Sequence, residues 1–341
     1  MKVGIVGLGA MGLNHAEHLR TLEFVTEVVG CDLSAEIRAR AEGKGIRAVS
    51  SVEALLEEQP FAAIVATPPT SHAAVIRQCF AAGVPVLTEK PMTTEIREGR
   101  ELVALAAEKG LNFQVGFELP YNGSMVGMWD IVNRGLIGTP QHMSLVQLRG
   151  ASPRGWTKAR NGGVFYEKLC HEIDLFRSFF GEPERVMAVA GPRVLEHYDV
   201  PDNVLACLRF PDGRQGTITF LSTRAAHLGG TDDHGDRGHY CEIILTGTEG
   251  SVSHDMWTET LEVVRFNHRG DHRTELVESI NIVERYGKGE YNVADQDRDF
   301  LERTRDGKPL RFPAANAQIS MEWVERAERS LSEAGKWIGA E

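Results

Sequence analysis

The stretch Gly7-Leu8-Gly9-Ala10-Met11-Gly12 follows the apolar run Val3-Gly4-Ile5-Val6 and opens an amphipathic segment over 14–22. Strand, glycine turn and helix in that order let a backbone approach a pyrophosphate. The first glycine permits the tight turn, the second removes the side chain that would block the phosphates, and the third lets helix and strand pack closely. The backbone from Gly7 to Gly12, at the positive end of the helix dipole, is then the candidate cradle for a dinucleotide. A G-x-G-x-x-G alone is a weak signal. Here it is joined by Asp32, which ends the next apolar run, Val28-Val29-Gly30-Cys31, about 20 residues beyond the last glycine. A carboxylate there accepts hydrogen bonds from an adenosine ribose and repels a 2′-phosphate. Leu33 and Ser34 bring no cation to offset it, although Arg38 and Arg40 follow on the next helix. The pattern predicts NAD rather than NADP.

At 341 residues the chain exceeds what one core usually organises, so two domains are expected. Its 42% hydrophobic and 25% charged content are those of a soluble globular protein. A net charge of −11 argues against a nucleic-acid partner, which would need a basic stripe. Cys31, Cys79, Cys170, Cys207 and Cys241 are scattered, odd in number and without C-x-x-C pairs, as expected of reduced thiols in a cytoplasmic protein. The apolar run after Lys2 is too broken by Gly4, Gly7, Gly9 and Gly12 to read as a signal peptide. No apolar stretch approaches the roughly 20 residues that span a bilayer, so no membrane partner is expected.

From 1 to 119 short apolar runs alternate with helical patterns. Strands are expected at 3–6, 27–31, 62–66, 84–87 and 112–116, and helices at 14–22, 34–42, 51–58, 71–82 and 94–109. This alternation predicts an α/β Rossmann domain, a doubly wound parallel sheet covered on both faces. From 120 to 341 the texture changes. Helices at 124–134 and 164–180 flank a strand at 142–149 and a loop at 150–163. Strand-like runs follow at 186–190, 204–210, 216–221, 241–247 and 261–266, before helices return at 292–306 and 315–335. The second domain is therefore expected to be α+β with an open, mostly antiparallel sheet. One face of that sheet should pack on its own helices and the other on a symmetry mate, in a homodimer or homotetramer.

Four further segments carry candidate chemistry. Thr67, Pro68 and Pro69, with Ser71 and His72 after them, sit at the carboxyl end of the third expected strand, where ligands of parallel sheets bind. Ser71 also suits a helix cap, and His72 suits a structural role as well as a cofactor contact. Glu89-Lys90-Pro91 follows the next strand, and a lysine there could stabilise oxyanion charge developing on a substrate hydroxyl. In Gly162-Gly163-Val164-Phe165-Tyr166-Glu167-Lys168-Leu169-Cys170-His171-Glu172-Ile173-Asp174, a continuous α-helix would put Glu167, His171 and Asp174 at i, i+4 and i+7 on one face. A histidine flanked by carboxylates can take or give a proton near neutral pH, or can simply be a satisfied structural residue. Lys168 falls off that stripe. The fourth segment holds His227, Asp232, Asp233, His234, Asp236 and His239 among glycines, without regular spacing; it reads as a polar loop, and no metal is expected.

Taken together, GLGAMG, ATPPTSH, EKP and GG…EKLCHEID, in this order and spacing, resemble the Gfo/Idh/MocA dehydrogenases, the family of glucose–fructose oxidoreductase and inositol dehydrogenase. The resemblance extends to Gly135-Leu136-Ile137-Gly138 and to the closing helix with Glu328-Arg329-Ser330. It implies a Rossmann dehydrogenase that moves hydride between NAD and a secondary alcohol of a sugar, sugar derivative or cyclitol. By the same resemblance Lys90 stands beside the nicotinamide, with Glu89 in the same cofactor-bordering loop, and His171 is the acid/base. Glu167 stands where many members carry Asp, and Pro120 where relatives often have Arg. Asn122, Trp156, Lys168 and Asp174 are the remaining candidates for the substrate side. A non-catalytic dinucleotide- or sugar-sensing regulator and a diol dehydrogenase acting on a non-sugar substrate are the alternative readings. Fold does not decide between them.

Overall fold

The computed structural model describes residues 1–148, 162–222, 240–255, 259–266, 273–289 and 292–340. The first part of the chain runs β1 (Lys2–Val6), α1 (Ala10–Leu19), β2 (Glu27–Cys31), α2 (Ala35–Gly43), β3 (Arg47–Val49), α3 (Val52–Glu57), β4 (Ala62–Val65), α4 (Pro69–Ala81), β5 (Val86–Thr88), α5 (Ile96–Lys109) and β6 (Phe113–Val115). Then come α6 (Gly123–Asn133), β7 (Pro140–Leu148), a π-turn (Phe165–Leu169), α7 (Cys170–Phe180), β8 (Arg185–Ala190), β9 (Asn203–Arg209) and β10 (Gln215–Leu221). After these lie β11 (Tyr240–Gly247), β12 (Gly250–Asp255), β13 (Thr260–Phe266), β14 (Thr274–Asn281), α8 (Ile282–Tyr286), α9 (Val293–Arg305), α10 (Ala314–Ser332) and β15 (Ile338–Gly339).

β1 to β6 form one parallel sheet in the order β3-β2-β1-β4-β5-β6, the doubly wound arrangement expected. Its central strands are apolar throughout because helices cover both faces: Ala62 to Val65 are all fully buried. Local chemistry sets the helix starts. Ser34 Oγ accepts from Ile37 N at 3.3 Å and Ser51 Oγ from Ala54 N at 3.1 Å. α4 starts at Pro69 with that proline in its first turn, ahead of the Ser71 cap expected. α1 begins at Ala10, directly on the glycine turn and not at residue 14 as expected.

The chain forms two compact units, Met1–Glu118 with Val293–Glu322, and Leu119–Asn292 with Trp323–Glu341. This departs from the expectation that everything from 120 to 341 makes the second domain. The cause is packing. Phe300 and Leu301 of α9 lie fully buried in the same core as Leu13, Ala16 and Leu19 of α1. Thr304 Oγ1 accepts from Asn112 Nδ2 at 3.1 Å, and Gln318 Nε2 donates to Ile96 O at 3.3 Å.

The second unit holds a nine-stranded sheet, β14-β13-β12-β11-β7-β10-β9-β8-β15. It is antiparallel except for the parallel pair β7 and β10. Alternation decides its faces: in β9, Val204, Ala206 and Leu208 are buried while Leu205 is 51% exposed. Helices cover the buried face. A Cβ at Gly216 of β10 would stand 2.5 Å from Phe176 of α7, and one at Gly127 of α6 would stand 2.3 Å from Leu261 of β13. Among the described residues no helix is long and apolar enough to cross a membrane.

Candidate active site

In the first unit the three glycines divide the work as their order demands. Gly7 has φ +93, and a Cβ there would sit 2.6 Å from the Ala66 carbonyl oxygen; a Cβ at Gly12 would fall 1.8 Å from the Gly7 oxygen. Around Gly9 the place a Cβ would occupy is open, with nothing within 4 Å. The amino end of α1 beside it has no side-chain cap. An open cradle and uncapped amides fit a pyrophosphate. Asp32 is fixed from two sides, its Oδ2 accepting from Leu8 N and its Oδ1 from Ser34 N, each at 2.9 Å. Lone pairs remain on both oxygens for a ribose diol. Arg38 spends its Nη1 on the carbonyls of Asp32 and Leu33, at 2.7 and 3.0 Å.

The loops after β4 and β5 are braced together. His72 is fully buried, with Nε2 2.8 Å from Thr67 O and Nδ1 2.9 Å from Pro91 O. Burial lowers its pKa, against the hydrogen bonds to these carbonyls. Its ring ties the two loops together, the structural role expected of it. Ser71 Oγ, 2.8 Å from Pro68 O and 2.9 Å from Thr67 Oγ1, reinforces the first loop. Glu89, expected beside the cofactor, is also taken up inside the protein: its Oε1 lies 3.0 Å from His15 Nε2 and its Oε2 accepts from Lys90 N at 3.3 Å. Lys90 is partly exposed at the carboxyl end of β5, the edge of the sheet that also carries the glycine turn.

In the second unit the segment 163–176 meets solvent only through Glu167, Lys168, His171 and Asp174; its other residues are buried. The expected stripe assumed a continuous α-helix. Instead Phe165–Leu169 forms a π-turn before α7 begins at Cys170. The wider turn admits one more residue, and Lys168 joins the accessible side from which α-helical spacing had set it apart. Asp174 leans toward Arg177, 3.7 Å away. Beneath this row lies Glu172, 3% exposed, which accepts from Gln147 Nε2 of β7. Glu328 of α10 accepts from Phe165 N at 2.7 Å, holding the start of the segment. The sequence flagged neither carboxylate as part of this site; their only local signal is a charge within an otherwise apolar helix face.

Asn122, expected on the substrate side, is held by the protein itself. It is 2% exposed and its Oδ1 accepts from Asn292 N at 2.9 Å, a tie between two backbone segments. Trp156 lies outside the described residues, as does the Asp/His-rich stretch of His227, Asp232, Asp233, His234, Asp236 and His239. Among the described residues no group of three or more His, Cys, Asp or Glu side chains could hold a metal ion.

Fold and glycine turn together define an NAD-binding Rossmann oxidoreductase. A family described as "Oxidoreductase family, NAD-binding Rossmann fold" matches residues 1–117, and the GFO/IDH/MocA C-terminal domain matches residues 126–253. The chain belongs to the Gfo/Idh/MocA family. It is 25% identical over 342 residues to the myo-inositol 2-dehydrogenase of Thermotoga maritima, covering 98% of this chain and 97% of that one. To the rhizopine catabolism protein MocA of Rhizobium meliloti it is 24% identical over 336 residues, covering 97% and 95%. Among solved structures, levoglucosan dehydrogenase in complex with NADH shares the fold with a TM-score of 0.84 at 20% identity, covering 100% of this chain and 99% of the other.

Proposed function

We propose that this protein catalyses reversible, NAD-dependent oxidation of a secondary alcohol on a sugar, sugar derivative or cyclitol. The observation that carries the reading is the partly exposed row Glu167, Lys168, His171 and Asp174 in a chain that also sets Lys90 at the cofactor edge of its Rossmann sheet. Relatives named for inositol dehydrogenation support the substrate class. NAD supplies the hydride acceptor. His171 takes the hydroxyl proton, and the Lys90 ammonium stabilises negative charge developing on the same oxygen. Glu167 and Asp174 orient and tune these groups, and Lys168 faces the substrate. A screen of polyols and sugars with NAD and NADP, followed at the reduced-nicotinamide absorbance, tests this. Turnover should be found with NAD in preference to NADP, and Asp32→Ala should narrow the preference. A panel giving saturable NADH binding but no turnover would leave a sensor in its place.

We infer further that the protein is cytoplasmic and assembles through the outer sheet face, where Val189 and Leu205 are exposed and Thr217, Thr219 and Val146 are half-buried. A homodimer or homotetramer should appear by light scattering at micromolar concentration, and a monomer mass would contradict it.

A further inference from the structure

We propose that His15 is a positioning residue for the reaction: its buried ring, fastened to Asp297, holds the Glu89 carboxylate and through it the main chain of Lys90. The proposal rests on the reading that Lys90 acts at the reacting oxygen. His15 lies on α1, inside the helix whose amino end forms the cofactor cradle, and is fully buried. Its Nδ1 is 2.8 Å from Asp297 Oδ2 and 3.0 Å from Oδ1; its Nε2 is 3.0 Å from Glu89 Oε1. Three segments meet there: the dinucleotide helix, the loop after β5, and α9. Space for the carboxylate is left by Gly116, where a Cβ would stand 3.1 Å from Glu89 Oε1.

The chemistry of this trio is constrained by its atoms. An ionised carboxylate only accepts, so a ring with a carboxylate oxygen at each nitrogen donates from both and is an imidazolium. Burial works against that charge, but the charges and hydrogen bonds of Asp297 and Glu89 outweigh it and lift the ring to about 10. His18, one turn along α1, and Lys90 also face the trio, and burial raises the Asp297 carboxyl against the charge and hydrogen bond of His15. Without the cation, Glu89 would be a buried carboxylate with no counter-charge within the trio, free to protonate or turn away. Its second oxygen accepts from Lys90 N at 3.3 Å, so a change at Glu89 reaches the lysine through one bond. The same helix thus carries the cofactor's amides and the counter-ion of the catalytic loop.

The test is a four-protein cycle on the full chain: wild type, His15→Asn, Lys90→Met and the double variant. Turnover, KM for NAD, NADH affinity by fluorescence and thermal midpoint are measured for each. His15→Asn should lower kcat about 10- to 100-fold, the scale of a misplaced catalytic group, while NADH affinity holds. In the Lys90→Met background the same change should cost almost nothing, because the group it positions is gone. Equal losses in both backgrounds, or no loss with Lys90 present, would overturn the proposal. Wild-type turnover in Lys90→Met alone would instead refute the Lys90 reading on which it rests. Should His15→Asn fail to fold, Glu89→Gln takes its place in the cycle, and the same two patterns decide.

Discussion

Glu89 and Glu328 each sit behind a segment of the candidate site, one in each unit, and differ in what holds them. Glu89 faces the His15 ring and the Lys90 amide. Burial alone would raise its pKa, but the hydrogen bond and charge of His15 carry it below the ordinary carboxylate value. Among the described residues Glu328 accepts one hydrogen bond, from Phe165 N, and a Cβ at Gly163 would stand 2.5 Å from its Oε1. Burial raises it to about 7, against that single hydrogen bond. At Glu328 burial outweighs the one backbone donor, whereas at Glu89 the His15 cation outweighs burial. The first unit therefore carries a charge fixed across neutral pH, and the second a group that titrates within it.

That difference separates two windows in the dependence of stability on pH. The His15 ring binds its proton with a pKa of about 10 in the folded chain against 6.5 unfolded, so its contribution is complete below 6.5 and lost as pH rises through about 10. The wild-type melting temperature should fall across this range by about 5 °C or more, and the fall should be absent from His15→Asn. If both proteins lose stability alike over that range, the ring is not the group responsible.

A smaller effect is expected from Glu328. Its pKa is also raised, from 4.5 to about 7, so its contribution is complete below 4.5 and disappears as pH climbs through about 7. Glu328→Gln stays neutral and escapes this loss. At pH 8 it should melt about 2–4 °C above wild type and near pH 4 at the same temperature. Identical melting curves at both pH values would show Glu328 to be ionised throughout, like Glu89, and the contrast between the units would vanish.

The parts of this molecule that could be read in advance are those whose physics is local. The turn from Gly7 to Gly12 and Asp32 announce themselves because a backbone approach and a strand end are written in adjacent residues. The alternation of β9 is not plain: Val204-Leu205-Ala206-Cys207-Leu208 is apolar at every position, and only the structure shows Leu205 to stand on the exposed face. The meeting of His15 and Asp297, 282 residues apart, has no local signature. The buried stripe of α9 reveals that Phe300 and Leu301 need a core, though not whose. β14 has no local signature because it is an edge strand, with Leu276 62% and Val277 45% exposed, so no apolar alternation marks it. The π-turn at Phe165–Leu169 was hidden for another reason: hydrophobic spacing assumes 3.6 residues per turn, and one wider turn regroups Glu167, Lys168 and His171 without altering a residue.

The central claim is that Lys90 and His171 act at one reacting oxygen in an NAD-dependent hydride transfer. Single-turnover reduction of NAD by a substrate found in the screen measures that step directly, with NADH affinity and thermal midpoint taken on the same samples. Lys90→Met and His171→Ala should each slow the step about 10²- to 10⁴-fold while binding NADH and melting as wild type does. Near-normal rates in either variant, or activity lost only in proportion to folded protein, would contradict the account.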